Sequence, residues 1–282
     1  IDKRVYCLHN NTTYIYDLFH MFNAVQEWEL LMDQDMNIYE TEPQLGKNKI
    51  GMVARRMILE NQLEILVIGN DITFINGSFG EEESKFYVAI CKYAVKLNIP
   101  RIYISANSGA RIEVDNNLRK KFMIKWNDEN NPSKGISYLY FNQENYLKYR
   151  DKIFATVNSE GHYVIDRILS PGVSNLDAAA WTASETVRTY NKVPTYVYVT
   201  GRSVGIGAYL CKLNERVIQK KDSPILLTGY KSLNKVLGQN LYKTNLQIGG
   251  PAIMGNNGIS HKIVNTDAEG ISELLKWINY QK

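Results

Sequence analysis

The 282-residue chain carries 33 lysines and arginines against 29 acidic residues, a net charge of +4, with 44% apolar and 22% charged side chains. These proportions are ordinary for a globular protein and exclude bulk disorder and fibrous repeats. The charge is too small and too dispersed to mark a nucleic-acid partner, and no apolar run of about 18 residues exists to cross a membrane. Cys7, Cys91 and Cys211 lie far apart, with no CxxC or Cys/His cluster, so neither a disulfide framework nor a metal site is expected, as suits a reducing compartment. The chain opens on Ile1 and stops at Lys282 directly after an apolar helical stretch, so it reads as a piece of a longer polypeptide.

Residues 1–50 form a mixed lead-in segment. Asn10 to Phe22 alternates weakly, Ala24 to Met32 has helical spacing, and Gln44 to Lys49 is a polar loop. From Gly51 the texture changes to short apolar runs that end in Gly or Asn, each followed by a helical pattern, and residues 51–282 read as one functional domain. Leu63–Ile68 and Ile72–Ile75 are predicted strands. Ser84–Leu97 carries Phe86, Ile90, Tyr93 and Leu97 on one helical face, with Glu81 to Glu83 at its start, where the helix dipole favours acids. Ile102–Ser105 is the next strand. Residues 113–194 interrupt this rhythm with a polar, Asn-rich region containing a hairpin-like stretch near Gly161 and a helix over Asp177–Tyr190. The rhythm then returns: strand Thr195–Val199, helix Gly205–Leu213, strand Ile225–Leu227, helix Ser232–Leu237. A final helix covers Asp267–Trp277, with Thr266 and Glu269 at capping-box spacing.

Two turns carry chemistry. Thr200 to Gly207 (TGRSVGIG) lies between a strand and a helix and matches the phosphate turn of short-chain dehydrogenases. It stands too late in the chain for that fold, and none of the 19 tyrosines has Lys four residues on. What remains is a turn in which Gly205, Ile206 and Gly207 open a helix with free backbone N–H groups, able to bind a phosphate, a carboxylate or a thioester oxyanion. Ala106 to Ile112 (ANSGARI) also leaves an apolar strand, offering the amides of Gly109 and Ala110 with Arg111 as a cation. Two such amide pairs, leaving neighbouring strands at one edge, would face one cleft and stabilise two separate developing charges. A third segment, Leu246–Met254 (LQIGGPAIM) with Asn257 to His261, reads as loop. No GxSxG elbow, HExxH or P-loop is present, and a lone histidine in a loop, as His261 is, is more often structural or solvated than catalytic, so any catalysis would rest on amides and a bound cofactor.

Taken together, GNDITF with GSFG (Gly69 to Gly80), ANSGARI, GRSVGIGAYL (Gly201 to Leu210), ILLTG (Ile225 to Gly229), LQIGGPAIM and NGISH resemble, in order and spacing, the carboxyltransferase region of eukaryotic multidomain acetyl-CoA carboxylases; Gly51 to Ala54, Trp126 and KGISYLY (Lys134 to Tyr140) fit as well. The resemblance implies an α/β fold of the crotonase (ClpP/crotonase-like) type, a spiral of strand–strand–helix repeats, and only its N-terminal half. The active site would be completed by the C-terminal carboxyltransferase domain of a second subunit in a homodimer. It implies carboxyl transfer from carboxybiotin, carried on a biotinylated domain outside this chain, to acetyl-CoA, giving malonyl-CoA for fatty acid synthesis. ATP, bicarbonate and Mg would be needed only by the biotin carboxylase domain of the parent. In that chemistry released biotin takes the acetyl α-proton, so no protein base is required, and backbone amides stabilise the enolate and the ureido oxygen.

By position, Arg202 matches the family arginine associated with CoA or carboxylate recognition, Gly205 to Gly207 and Gly109/Ala110 match the amide pairs, and Leu176 falls where the family has a hydrophobic residue lining the site. The chain departs from the family pattern at Asp177 to Ala179, at Lys212, and at Gln239 and Asn240. The bacterial zinc ribbon is absent, and the compartment implied is the cytoplasm or a plastid-type organelle. Two other functions remain open at this point: a stand-alone crotonase-like acyl-CoA hydratase or isomerase, for which Glu113 is the one carboxylate beside an amide turn, and a noncatalytic acyl-CoA-binding module.

Overall fold

A computed structural model describes residues 2–111, 114, 116–169 and 176–280. In chain order the elements are α1 (Asp2–His9), α2 (Ile15–His20), β1 (Ala24–Met32), β2 (Ile38–Thr41), β3 (Met52–Leu59), β4 (Glu64–Asn70), α3 (Glu81–Leu97) and β5 (Arg101–Ser105). Then come α4 (Asn116–Arg119), β6 (Met123–Trp126), β7 (Ile136–Phe141), α5 (Gln143–Tyr149), β8 (Ile153–Val157) and β9 (Tyr163–Ile168). The rest are α6 (Leu176–Thr189), β10 (Thr195–Val199), β11 (Ser203–Val204), α7 (Ile206–Lys212), β12 (Arg216–Lys220), β13 (Ile225–Leu226), α8 (Tyr230–Leu237), α9 (Leu246–Gly249), α10 (Pro251–Met254), β14 (Lys262–Val264) and α11 (Asp267–Asn279). Two compact units result, one of residues 1–110 with 176–282 and the other of residues 111–175.

The larger unit is mixed α/β, built on an eight-stranded sheet of order β14-β12-β10-β5-β4-β3-β1-β2. From β14 to β4 neighbouring strands run parallel, and β3, β1 and β2 continue the sheet antiparallel. The central strands are apolar on both faces, the signature of a sheet covered on each side. Val67, Ile102, Ile104, Tyr196 and Tyr198 belong to one buried cluster, together with Ile271 and Leu274 of α11. Their alternates Leu66, Ile68, Tyr103, Val197 and Val199 belong to a second, together with Tyr87 and Ile90 of α3 and Leu210 of α7. A two-stranded parallel ribbon, β11 with β13, stands apart from the large sheet. The three cysteines are free and buried.

The smaller unit is a four-stranded antiparallel sheet of order β6-β7-β9-β8 around Leu118, Phe141, Tyr149 and Ile153. Its hairpin turns at Asn158, whose Oδ1 accepts from the amides of Glu160 and His162, both at 3.0 Å, with Gly161 at φ 76.

Four sequence expectations are corrected. Leu246–Met254, read as loop, forms the short helices α9 and α10, the second opened by Pro251 at its first turn. Ala24–Met32 is a strand, not a helix: register with β2 and β3 overrides a spacing that fits both, and buries Leu30. Asn10–Phe22 contains the helix α2, which buries Ile15, Tyr16, Leu18 and Phe19. Ile72–Ile75 is not a strand: Asp71 Oδ1 accepts from Thr73 N (2.9 Å) and Thr73 Oγ1 (2.6 Å), turning the chain into a 3-10 segment where Ile75 and Asn76 adopt φ 43 and φ 56.

Candidate active site

β5 and β10 are parallel neighbours paired from Arg101↔Thr195 to Ser105↔Val199, so both chains leave the sheet side by side at the same edge. The segment after β5 and the segment after β10 are then locked together. Asn107 N donates to Arg202 O (2.7 Å), Thr200 N to Ser105 O (3.2 Å), and the Ser105 and Ser203 hydroxyls meet at 2.6 Å. Gly109, at φ 82, approaches the second turn so closely that a Cβ on it would stand 2.9 Å from Val204 O and 3.7 Å from the Gly205 Cα. Only glycine fits both that conformation and that contact.

The five amides singled out by sequence divide into two sets. Gly109 N donates to Asn107 Oδ1 (3.1 Å), and Gly205 N donates to Leu226 O (3.0 Å), so these two serve the turns themselves. The amides of Ala110, Ile206 and Gly207 make no hydrogen bond among the described residues. Ile206 and Gly207 are the first two residues of α7, where backbone donors have no partner within the helix. Gly205 precedes them at φ 54, ψ −118.

Arg202 lies on the same edge, half-buried. Its Nη1 donates to Asn10 Oδ1 (2.8 Å), and its Nη2 donates to Ser108 Oγ (3.0 Å) and, more weakly, to Asn76 Oδ1 (3.4 Å). All three partners are neutral, and among the described residues it makes no ion pair. Desolvation by the surrounding protein pulls its pKa below the usual arginine value, the expected sign for a cation removed from water without a counter-charge. Asn10 and Asn76 bring the N-terminal segment and the loop after β4 against the same guanidinium. Tyr6 OH also bonds Asn76 Oδ1.

Of the other residues predicted, Arg111 lies in the smaller unit. Leu176 opens α6, but its side chain, like Glu113, lies outside the described residues. Among the departures, Ala179 is buried, Lys212 closes α7, and Gln239 follows the left-handed Gly238 that ends α8. Sequence reasoning missed Asn107, fully buried beneath both turns. Its one signal was a polar amide at the exit of an apolar strand, within a segment otherwise read for its glycine.

A mixed α/β domain that brings two amide-bearing turns and a half-buried, unneutralised arginine to one sheet edge is a scaffold for anion recognition by backbone and guanidinium. The chain belongs to the carboxyl transferase domain family, whose model matches residues 60–282. It is 43% identical over 252 residues to an acetyl-CoA carboxylase of Dictyostelium discoideum, covering 86% of this chain and 11% of the relative. It is 41% identical over 248 residues to acetyl-CoA carboxylase 2 of Oryza sativa subsp. japonica, covering 83% and 11% respectively. To the acetyl-CoA carboxylase of Saccharomyces cerevisiae it is 38% identical over 305 residues, covering 95% and 14%. The chain therefore spans only a small part of the length of these relatives.

Proposed function

We propose that the chain is the N-terminal half of the carboxyltransferase of a multidomain acetyl-CoA carboxylase, transferring a carboxyl group from carboxybiotin to acetyl-CoA to form malonyl-CoA. The observation that carries this is the contact between the two turns, which presents uncommitted amides from both on one edge. Carboxybiotin, delivered on a carrier domain, supplies the carboxyl group. The residues fit the oxygens such a reaction charges. The amides of Ile206 and Gly207, at the positive end of α7, suit one developing oxyanion, and the amide of Ala110 suits the other. Donors fixed in place before charge develops lower the barrier because they need not reorganise. Arg202 holds a carboxylate or phosphate oxygen of the CoA substrate with a rigid fork of donors, while Arg111 and Leu176 serve substrate binding.

The parallel run β4-β5-β10-β12-β14, with the separate β11-β13 ribbon, supports the crotonase-type spiral of strand–strand–helix turns. The C-terminal carboxyltransferase domain of a second subunit completes the site. ATP, bicarbonate and Mg serve only the carboxylase half-reaction elsewhere in the parent enzyme, and the compartment is the cytoplasm or a plastid-type organelle. The test is an assay of the full-length polypeptide with a carboxybiotin donor and acetyl-CoA, run beside hydration of an enoyl-CoA. Malonyl-CoA formation without hydration is the expected result, with negligible activity from the isolated 282 residues. Hydration without carboxyl transfer would replace this reading with that of an acyl-CoA hydratase.

A further inference from the structure

Asn107 makes no contact with solvent, yet every polar atom of its side chain is engaged. Its Oδ1 accepts from Gly109 N at 3.1 Å and from Val204 N at 3.2 Å, one amide from each turn. Its Nδ2 points the other way, toward Ser105 Oγ (3.1 Å), Tyr103 OH (3.2 Å) and, at the limit, Asn70 Oδ1 (3.5 Å). Those groups are tied among themselves: Tyr103 OH donates to Asn70 Oδ1 at 2.7 Å, and Asn70 Nδ2 donates to Gly77 O at 3.2 Å. The carboxamide thus joins the loop after β4, the turn after β5 and the turn after β10. Gly207 closes over it, since a Cβ at that position would lie 2.0 Å from Asn107 Oδ1.

We propose that Asn107 is the positioning residue that sets the spacing between the two sets of free amides, Ala110 on one turn and Ile206 and Gly207 on the other. One oxygen that accepts from both turns fixes their distance more tightly than two independent bonds would. The buried acceptors beneath it, Ser105 Oγ, Tyr103 OH and Asn70 Oδ1, leave the carboxamide a single orientation. Gly207 is glycine because the carboxamide occupies the space of its side chain. Asn107 touches no substrate in this arrangement; it acts through the amides. The proposal rests on the carboxyl-transfer reading.

The experiment uses Asn107→Ala in the full-length polypeptide, assayed well below its unfolding midpoint so that all of the protein is native. The expected result is a fall in kcat of about 100-fold, the scale of misplacing a catalytic group by about 1 Å, with KM for acetyl-CoA changed less than about threefold. Amide hydrogen exchange in segments 106–110 and 203–207 should quicken at least tenfold while exchange in β5 and β10 is unchanged. Gly207→Ala, which pushes the carboxamide aside from above, should show the same pattern if Asn107→Ala does not fold. In the double variant the two losses should fall well short of multiplying, because the carboxamide that the added methyl group displaces is gone. Wild-type kcat in native Asn107→Ala, a loss confined to KM, or unchanged exchange in both turns would overturn the proposal. If the wild-type protein transfers no carboxyl group, the functional reading fails by itself, and the exchange measurements still decide the role of Asn107.

Discussion

Arg202 is held by three neutral acceptors and, among the described residues, by no acid, so its charge is available to a ligand. Arg202→Ala in the full-length enzyme should lower kcat/KM for acetyl-CoA by roughly 10–1000-fold, with Arg202→Lys recovering part of the loss, because an ammonium cannot reproduce the fork. Steady-state kinetics with acyl-CoA varied would check this, and wild-type kinetics in the alanine variant would remove Arg202 from the site. Asp267 is a different kind of buried charge. Its carboxylate accepts from Tyr198 OH, Thr200 Oγ1 and Thr13 Oγ1, each at 2.6 Å, and faces Lys220 Nζ at 3.5 Å. Burial first, then the Asp267 charge, holds the Tyr198 phenol well above its usual pKa, so it stays a donor. Asp267→Ala leaves Lys220 without its buried partner and should cost about 3 kcal/mol in urea unfolding; an unchanged midpoint would show the network to be unimportant. His261 Nδ1 accepts from Val217 N at 3.0 Å, which requires an unprotonated nitrogen. Burial, aided by Arg216 and Lys212, lowers its pKa below the usual 6.5. A depressed pKa means that the unfolded chain binds the proton more readily. The stability His261 contributes is therefore present above about pH 6.5 and is lost as pH falls through the folded-state value. Unfolding free energies measured from pH 7.5 down to 5.5 should decline, and His261→Asn should flatten that part of the slope.

At the scale of elements, close approach decides what the helices tolerate. Gly270 in α11 faces the Tyr198 ring, where a Cβ would lie 2.3 Å from the nearest ring carbon. Alanine improves helix propensity by about 1 kcal/mol, but the clash falls between α11 and β10, in a packed core. Gly270→Ala should thus be destabilising by about 1–3 kcal/mol net in chemical denaturation, and a gain in stability would contradict the packing described. The same balance between local preference and tertiary contact explains what was legible in the sequence. α3 and β5 were readable because a continuous apolar face or run, bounded by Gly80 and Pro100, specifies them locally. α11 was readable from its cap: Thr266 Oγ1 accepts from Glu269 N at 3.2 Å. Ala24–Met32 was not, since Trp28, Leu30 and Met32 fit a strand as well as a helix and only pairing with β3 decides. Ile72–Ile75 failed because the Asp71 side chain captures Thr73 and stops the strand before its apolar residues can pair. At the site, the glycines announce both turns, whereas Asn107 does not announce itself: its partners are separated from it in sequence by up to 97 residues.

Over the whole molecule, the larger unit is a sheet apolar on both faces, at one edge of which three loops meet around Asn107 and Arg202. The antiparallel strands β3, β1 and β2 extend that sheet away from the edge, so residues 24–59 contribute core and register, while Asn10 and Asn76 reach the site from loops. In the proposed function, backbone amides at this edge, not a side-chain base, carry carboxyl transfer. Gly205 tests it most directly: its φ of 54 and ψ of −118 demand glycine, yet a Cβ there would meet nothing nearer than the Gly109 Cα at 3.8 Å. Gly205→Ala therefore strains the turn that presents Ile206 and Gly207 by about 1–3 kcal/mol without a clash in the core. The decisive measurement is transfer of a radiolabelled carboxyl group from carboxybiotin to acetyl-CoA by the full-length protein and by its Gly205→Ala variant. Labelled malonyl-CoA is expected from the wild type, and about 100-fold less from a variant that remains folded. No labelled product from the wild type, or equal rates from the two, would contradict this role of the amides.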